Sequence, residues 1–234
     1  MSTHPIQERH PHGGDWLRDV VLGLNDGLVT TLVFILAISR VAHPQLVVIA
    51  LGELFAGAIS MGLGAYLSAR TEHAVLTRQI ATEHYEIVHE PEEERDELRN
   101  IYYEKGLRGA LLETVVRYLT ADRRRWLRAM IRDELGVNTS AVERPAWLRG
   151  LIVAGSFMLG AFVPIVPFLF LFPTPQIWAY GLTVLTAMLL GVVKAQYTPR
   201  GPLYNGLEFL AITTVGALAG VAIGAFLQAI AGAS

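Results

Sequence analysis

The chain has 234 residues, of which 52% are hydrophobic and 17% charged; it carries 22 glycines, no cysteine and a net charge of −2. Its mean hydropathy of +0.40 is too high for an ordinary soluble domain, excludes disorder and points to an all-α polytopic membrane protein. The missing cysteines exclude disulfide scaffolds, thiolate zinc sites, iron–sulfur clusters and thiol catalysis, leaving oxygen, imidazole and thioether groups for any metal.

Residues 1–18 read as a short cytoplasmic tail with His4, His10 and His12 among prolines and glycines, without a signal-peptide core. From Asp19 to Val41 runs an apolar stretch long enough to cross a bilayer, since about 20 helical residues span roughly 30 Å. Pro44 breaks the chain, and a second stretch covers about 46–69, interrupted by Glu53. Residues 71–146 invert the character: dense charge, a break at Pro91, helix ends at Gly106 and Gly136, and Leu or Ile at helical spacing predict a water-facing helical insert. Three more apolar stretches follow within 147–234, at about 150–172, 176–195 and 205–230, so the reading is five transmembrane helices with the insert between the second and third.

With five spans, the tail, the insert counted with Arg70 and Arg149 at its ends, and the connection between the fourth and fifth spans with Lys194 and Arg200 share one side and hold 2, 14 and 2 Lys or Arg, against Arg40 alone on the other. This asymmetry predicts a cytoplasmic N-terminus and insert.

Three carboxylates fall within or at the edge of apolar stretches: Asp26, Glu53 and Glu208. A charge at mid-span costs about 2.5 to 3.5 kcal/mol on insertion scales, so together they imply a polar path, Glu208 as a possible member beside Asp26 and Glu53. Asp26 and Glu208 also read as groups solvated at helix ends. Gly52, Ala56, Ser60 and Gly64 repeat every four residues, a spacing that admits a close helix neighbour; Gly216, Gly220 and Gly224 do the same in the fifth stretch, most simply as plain packing. Met61 lies two turns beyond Glu53, placing a thioether and a carboxylate along one wall. Pro164 and Pro167 remove backbone donors inside the third stretch, where protein or a cavity must cover the freed carbonyls.

In the insert, Glu83 and Glu86 share one helix face, and so do Glu94 and Glu97 beyond Pro91, on two short helices. A further helix starting after Asp122 as N-cap places Met130 and Glu134 on one face and ends at Gly136. Three such faces together would make an oxygen-rich site for divalent Fe, Mn, Zn or Ca. The competing reading is a solvated surface neutralised by Arg78, Arg95 and Arg99. Glu86-x-x-His89 also fits half of a di-iron carboxylate site. Arg123, Arg124 and Arg125 sit among acidic neighbours and read as a solvated or headgroup-facing helix; no nucleic-acid partner is expected.

The run Glu53-Leu-Phe-Ala-Gly-Ala-Ile-Ser-Met-Gly-Leu-Gly-Ala-Tyr-Leu-Ser-Ala-Arg70 resembles the second span of the vacuolar iron transporter family. Arg18-Asp-Val-Val-Leu-Gly-Leu-Asn-Asp-Gly27, Leu159-Gly-Ala-Phe-Val-Pro-Ile-Val-Pro167 and Leu207-Glu-Phe209 resemble its first, third and fifth spans, so the likeness covers nearly the whole chain from Arg18. The resemblance implies a homodimeric, proton-coupled exporter of Fe²⁺, and also Mn²⁺, from the cytosol. It implies no enzyme activity and no prosthetic group. It assigns Asp26, Glu53 and Met61 to the pathway, and Glu83, Glu86, Glu94, Glu97, Met130 and Glu134 to a cytoplasmic metal-binding domain. One departure is that Met130 is followed by Ile131, where plant-type members carry two adjacent methionines. The compact insert and short tail fit a prokaryotic plasma membrane. The alternatives are a membrane-anchored metal buffer or sensor and a tethered di-iron oxidase.

Overall fold

A computed structural model describes residues 14–39, 41–136, 145–195 and 201–231. The tail histidines, Arg40 and the Pro–Gly loop at 198–200 lie outside the described residues. Eight α-helices occupy the described chain: α1 (Gly14–Ala37), α2 (His43–His89), α3 (Pro91–Glu104), α4 (Gly109–Thr120), α5 (Arg123–Asp133), α6 (Ala146–Leu169), α7 (Pro175–Ala195) and α8 (Pro202–Ala231). Five of them, α1, α2, α6, α7 and α8, are long and apolar enough to cross a membrane. The chain is therefore an all-helical, multi-pass membrane protein.

Two expectations need correction. The first helix starts and ends earlier than the apolar stretch of the sequence, at Gly14 and Ala37, because hydropathy registers side-chain transfer whereas helix ends are set by backbone hydrogen bonds. The second helix does not stop near residue 69; α2 runs unbroken for 47 residues to His89, so Glu83 and Glu86 sit on the last turns of a long helix rather than on a short one. Pro44 falls in the first turn of α2, where the missing N–H is harmless.

The chain divides into two compact units, Met1–Tyr66 with Trp147–Ser234, and Leu67–Ala146. In the first, α6 packs closely on two helices through glycine. A β-carbon at Gly27 of α1 would fall on the carbonyl oxygen of Phe157, and one at Gly62 of α2 would lie 2.9 Å from the Ala154 methyl. Gly216, Gly220 and Gly224 give α8 the same intimacy with Val29, Val33 and Ala37 of α1, so those three glycines are packing residues as expected. The stripe of Gly52, Ala56, Ser60 and Gly64 behaves differently. Gly52 and Gly64 face open space and Ala56 and Ser60 are exposed, while Gly57 and Gly62 make the approach within the subunit. Four-residue spacing identifies a small-residue face without saying which neighbour covers it. The core of this unit joins Leu32, Ile35, Leu46, Leu54, Phe157, Ile165 and Phe168. α6 continues through Pro164 and Pro167, both buried.

The second unit gathers the end of α2 with α3, α4 and α5 around Ile87, Leu98, Trp126, Ala129 and Met130. Its helix boundaries follow local chemistry. Asp122 caps α5 by accepting from the Arg125 backbone N–H at 2.8 Å. Gly106 and Gly136 adopt φ of +98° and +63° just beyond α3 and α5, the left-handed region that ends helices cheaply only at glycine.

Candidate functional site

Within the membrane-spanning helices the polar groups meet between α1 and α2. Thr31, fully buried on α1, donates its hydroxyl to Glu53 Oε2 at 2.8 Å. Asp26, one turn before Thr30 on α1 and 3.4 Å from its hydroxyl, is the second acidic group in electrostatic range of Glu53. Neither carboxylate has a Lys or Arg partner among the described residues. Two acids adjoining in an apolar layer without a cation are an arrangement suited to receiving one. Met61 is half-buried and packs on the adjoining core. Glu208 stands apart from this pair: it accepts from Lys194 Nζ at 3.1 Å between α8 and α7, so its charge is already matched.

In the charged unit, helix faces concentrate carboxylates that the arginines do not neutralise. Arg95 pairs with Glu92 at 2.7 Å, and Arg99 with Asp96 and with Glu113, the latter at 3.0 Å. No such partner reaches Glu83, Glu86, Glu94, Glu97 or Glu134 among the described residues. Glu83 and Glu94 are buried, each with one carboxylate oxygen lacking a protein hydrogen-bond partner. Burial, reinforced by Glu134, Glu94, Glu86 and Glu97, pushes Glu83 up to about 8. Burial and the charges of Glu97, Glu86, Glu134 and Glu90 push Glu94 up to about 7. Glu134 is raised as well, by desolvation and by Glu97.

The neighbouring Asp133 shows what a cation supply does. Burial by itself would raise it, yet bonds from Arg132 at 2.9 Å, Lys105 at 2.5 Å and the Tyr102 hydroxyl at 2.7 Å hold it well below the usual carboxylate range. Adjacent residues on one helix end thus titrate in opposite directions, Asp133 inside a basic cage and Glu134 among acids. Sequence spacing anticipated the acidic faces. It did not reveal that Glu83 and Glu94 are the two withdrawn from water, because that depends on how the end of α2, α3 and α5 pack around Ile87, Leu98, Trp126 and Met130, which are far apart in the chain.

The convergence is electrostatic rather than closed: among the described residues, no three or more acidic or imidazole groups are near enough to enclose an ion. Met130 is fully buried in the core with Ile87 and Leu98. His89 does not join Glu86; it stacks on Tyr85 with ring centroids 3.9 Å apart and its Nδ1 contacts the Tyr85 carbonyl at 2.9 Å.

A family model described as the VIT family matches residues 17–225, which reaches all five spanning helices, α8 in most of its length, and takes in the charged unit. The chain belongs to the VIT family. Among VIT relatives, the rice protein named Vacuolar iron transporter 1 is 32% identical over 225 residues, covering 94% of this chain and 88% of its own. The Arabidopsis thaliana protein of the same name is 30% identical over 226 residues, covering 94% and 90%. A Toxoplasma gondii protein named Vacuolar iron transporter is 26% identical over 250 residues, covering 99% and 81%.

Proposed function

We propose that this chain is a proton-coupled exporter of divalent metal, carrying Fe²⁺ and also Mn²⁺ out of the cytosol. The observation that carries the reading is the Asp26–Glu53 pair, acidic groups sharing an apolar layer with a hydroxyl and no counter-cation, in a chain whose relatives are named for iron transport. An ionised carboxylate is unstable in oil, so a dication that binds one takes the place of a proton, and release restores the proton. Alternating occupancy of that kind is antiport. The Met61 sulfur adds a soft donor that favours Fe²⁺ over Ca²⁺ or Mg²⁺. Transport of this kind makes no covalent change, so no catalytic residue is assigned. The basic residues, 18 of 19 on one side of the five-span topology, support a cytoplasmic insert, and a prokaryotic plasma membrane is the proposed location. The outward stripe of Gly52, Ala56, Ser60 and Gly64 supports a homodimer in which a second copy covers α2.

The charged unit captures the metal first. Glu83, Glu86, Glu94, Glu97 and Glu134 supply oxygens, and Met130 is the proposed soft member of the set. With Glu83 near 8 and Glu94 near 7, both hold protons in much of the population at neutral pH, and metal must displace them. Binding of Fe²⁺ or Mn²⁺ to the full-length protein, followed by calorimetry, is expected to weaken steeply from pH 8 to pH 6 and to release protons on the way. Glu94→Gln with Glu97→Gln is expected to lower affinity by about tenfold or more, as loss of charged ligands does. Equal binding by the double variant would return the acidic run to a solvated surface. The sign for stability is the reverse. Raised carboxylates make the folded unit bind more protons than the unfolded chain between their ordinary range and pH 8, so the metal-free unit loses stability as pH rises through that window.

A further inference from the structure

A second polar level lies inside the subunit, on the side of α1 that packs against α7 and α8. α7 buries Ala179, Thr183, Ala187 and Gly191 along one stripe; α8 buries Asn205, Phe209, Thr213 and Ala217 along another. The helices run antiparallel with their register fixed at two points. A β-carbon at Gly191 would lie 2.9 Å from the Asn205 carbonyl carbon, and Tyr180 and Thr214 share a hydroxyl contact of 3.0 Å. Stepping one turn at a time from Gly191 opposite Asn205 sets Ala187 against Phe209 and Thr183 against Thr213. α1 supplies the third wall, running parallel to α8. Val33 meets Gly220 and Ala37 meets Gly224, so one turn before Val29, which meets Gly216, Asn25 arrives at the level of Thr213.

All three side chains at this level are left wanting. Thr183 and Thr213 are wholly buried, and the Asn25 Oδ1, Thr183 Oγ1 and Thr213 Oγ1 atoms have no protein hydrogen-bond partner. A helical threonine ordinarily donates to the carbonyl four residues back, and Thr71, Thr77, Thr114 and Thr120 do so here at 2.7 to 3.0 Å. Thr183 and Thr213 do not. Unmet polar groups in a hydrocarbon layer are costly enough that such structures satisfy them internally. The donor set is neutral, and the charged pair on these helices, Lys194 with Glu208, is balanced, so a metal ion would bring uncompensated charge. A water molecule, which uses two to four polar partners, matches the set.

We infer that the α1/α7/α8 junction is an internal water-binding site formed by Asn25, Thr183 and Thr213. The water bridges the two hydroxyls to the carboxamide and anchors α1 directly behind the residue, Asp26, that the neighbouring face presents to Glu53. The test is Thr183→Val with Thr213→Val in the full-length protein, near-isosteric changes that remove only hydroxyl groups. If water is bound, the variant loses its partners and Tm falls by about 3 °C or more; if the junction is dry, removing two unmet hydroxyls raises Tm, which overturns the inference. A high-resolution map of the unaltered protein provides a readout that does not depend on the variant folding. A solvent peak within hydrogen-bond distance of the three oxygens supports the site. Hydroxyls turned onto the Ala179 and Phe209 carbonyls with no peak, or a peak that becomes anomalous on replacing Na⁺ and K⁺ with Tl⁺, overturns it.

Discussion

Glu53→Gln is expected to reduce metal flux into proteoliposomes to the level of protein-free vesicles while the protein folds normally. The side chain sits half-buried on α2 and receives the Thr31 hydroxyl at 2.8 Å. Glutamine keeps the volume and an accepting oxygen for that bond, so the packing of α1 on α2 survives. What it removes is the exchangeable charge: an amide neither gives up a proton to an arriving dication nor takes one back when the dication leaves. Asp26 by itself then offers one negative charge to a doubly charged ion in an apolar layer, leaving half of the ion's charge unmatched. The measurement is uptake at an imposed pH gradient with a metal-quenched dye inside the vesicles. Undiminished quenching by the variant would remove Glu53 from the coupling mechanism.

The second large effect is structural. Gly27→Val should unfold the membrane-spanning unit or prevent its assembly, a loss of about 3 kcal/mol or more. The added β-carbon would land on the Phe157 carbonyl oxygen and lie 2.7 Å from the Ala161 nitrogen. Both obstacles are backbone of α6, which cannot swing aside as a flexible side chain can. Displacing α1 instead would drag Asp26 and Thr31 away from Glu53, so any folded remainder should transport poorly. Gly155→Ala on α6 is the control: open space surrounds that position, and alanine is the better helix former by up to about 1 kcal/mol. Detergent-solubilised protein should therefore show an unchanged or slightly higher Tm for Gly155→Ala and a collapsed one for Gly27→Val. Equal melting of Gly27→Val and the parent chain would contradict the packing described between α1 and α6.

Much of this architecture was written plainly in the sequence. Apolar length gave the five spans, and Asp122, Gly106 and Gly136 marked helix ends because capping and left-handed backbone are properties of single residues. The long continuation of α2 was not legible: the switch from apolar to charged residues after Ala69 records a change of solvent, while the helical hydrogen bonding continues to His89. The acidic spacing showed that Glu83 and Glu86, and Glu94 and Glu97, share faces. Which of them lose water depends on the packing of α3 and α5 with the end of α2, and the structure selects Glu83 and Glu94. Among the described residues, the pairings of Arg95 and Arg99 fall outside the cluster, at Glu92, Asp96 and Glu113. In the membrane-spanning unit, Glu53 and Asp26 stood out by charge in an apolar run, but Thr31 had no such mark. A threonine in a span is unremarkable until a second helix places a carboxylate against it.

The central claim is that acidic side chains in the apolar layer trade protons for a dication. Its most direct measurement is the proton flux accompanying metal uptake: liposomes holding the purified chain and a pH dye are presented with Fe²⁺ under anaerobic conditions, or with Mn²⁺. Metal entry is expected to alkalinise the lumen, an acidic lumen to accelerate entry, and a protonophore that collapses the gradient to slow it. Metal entry at one rate with and without the gradient, with no change in lumenal pH, would contradict it.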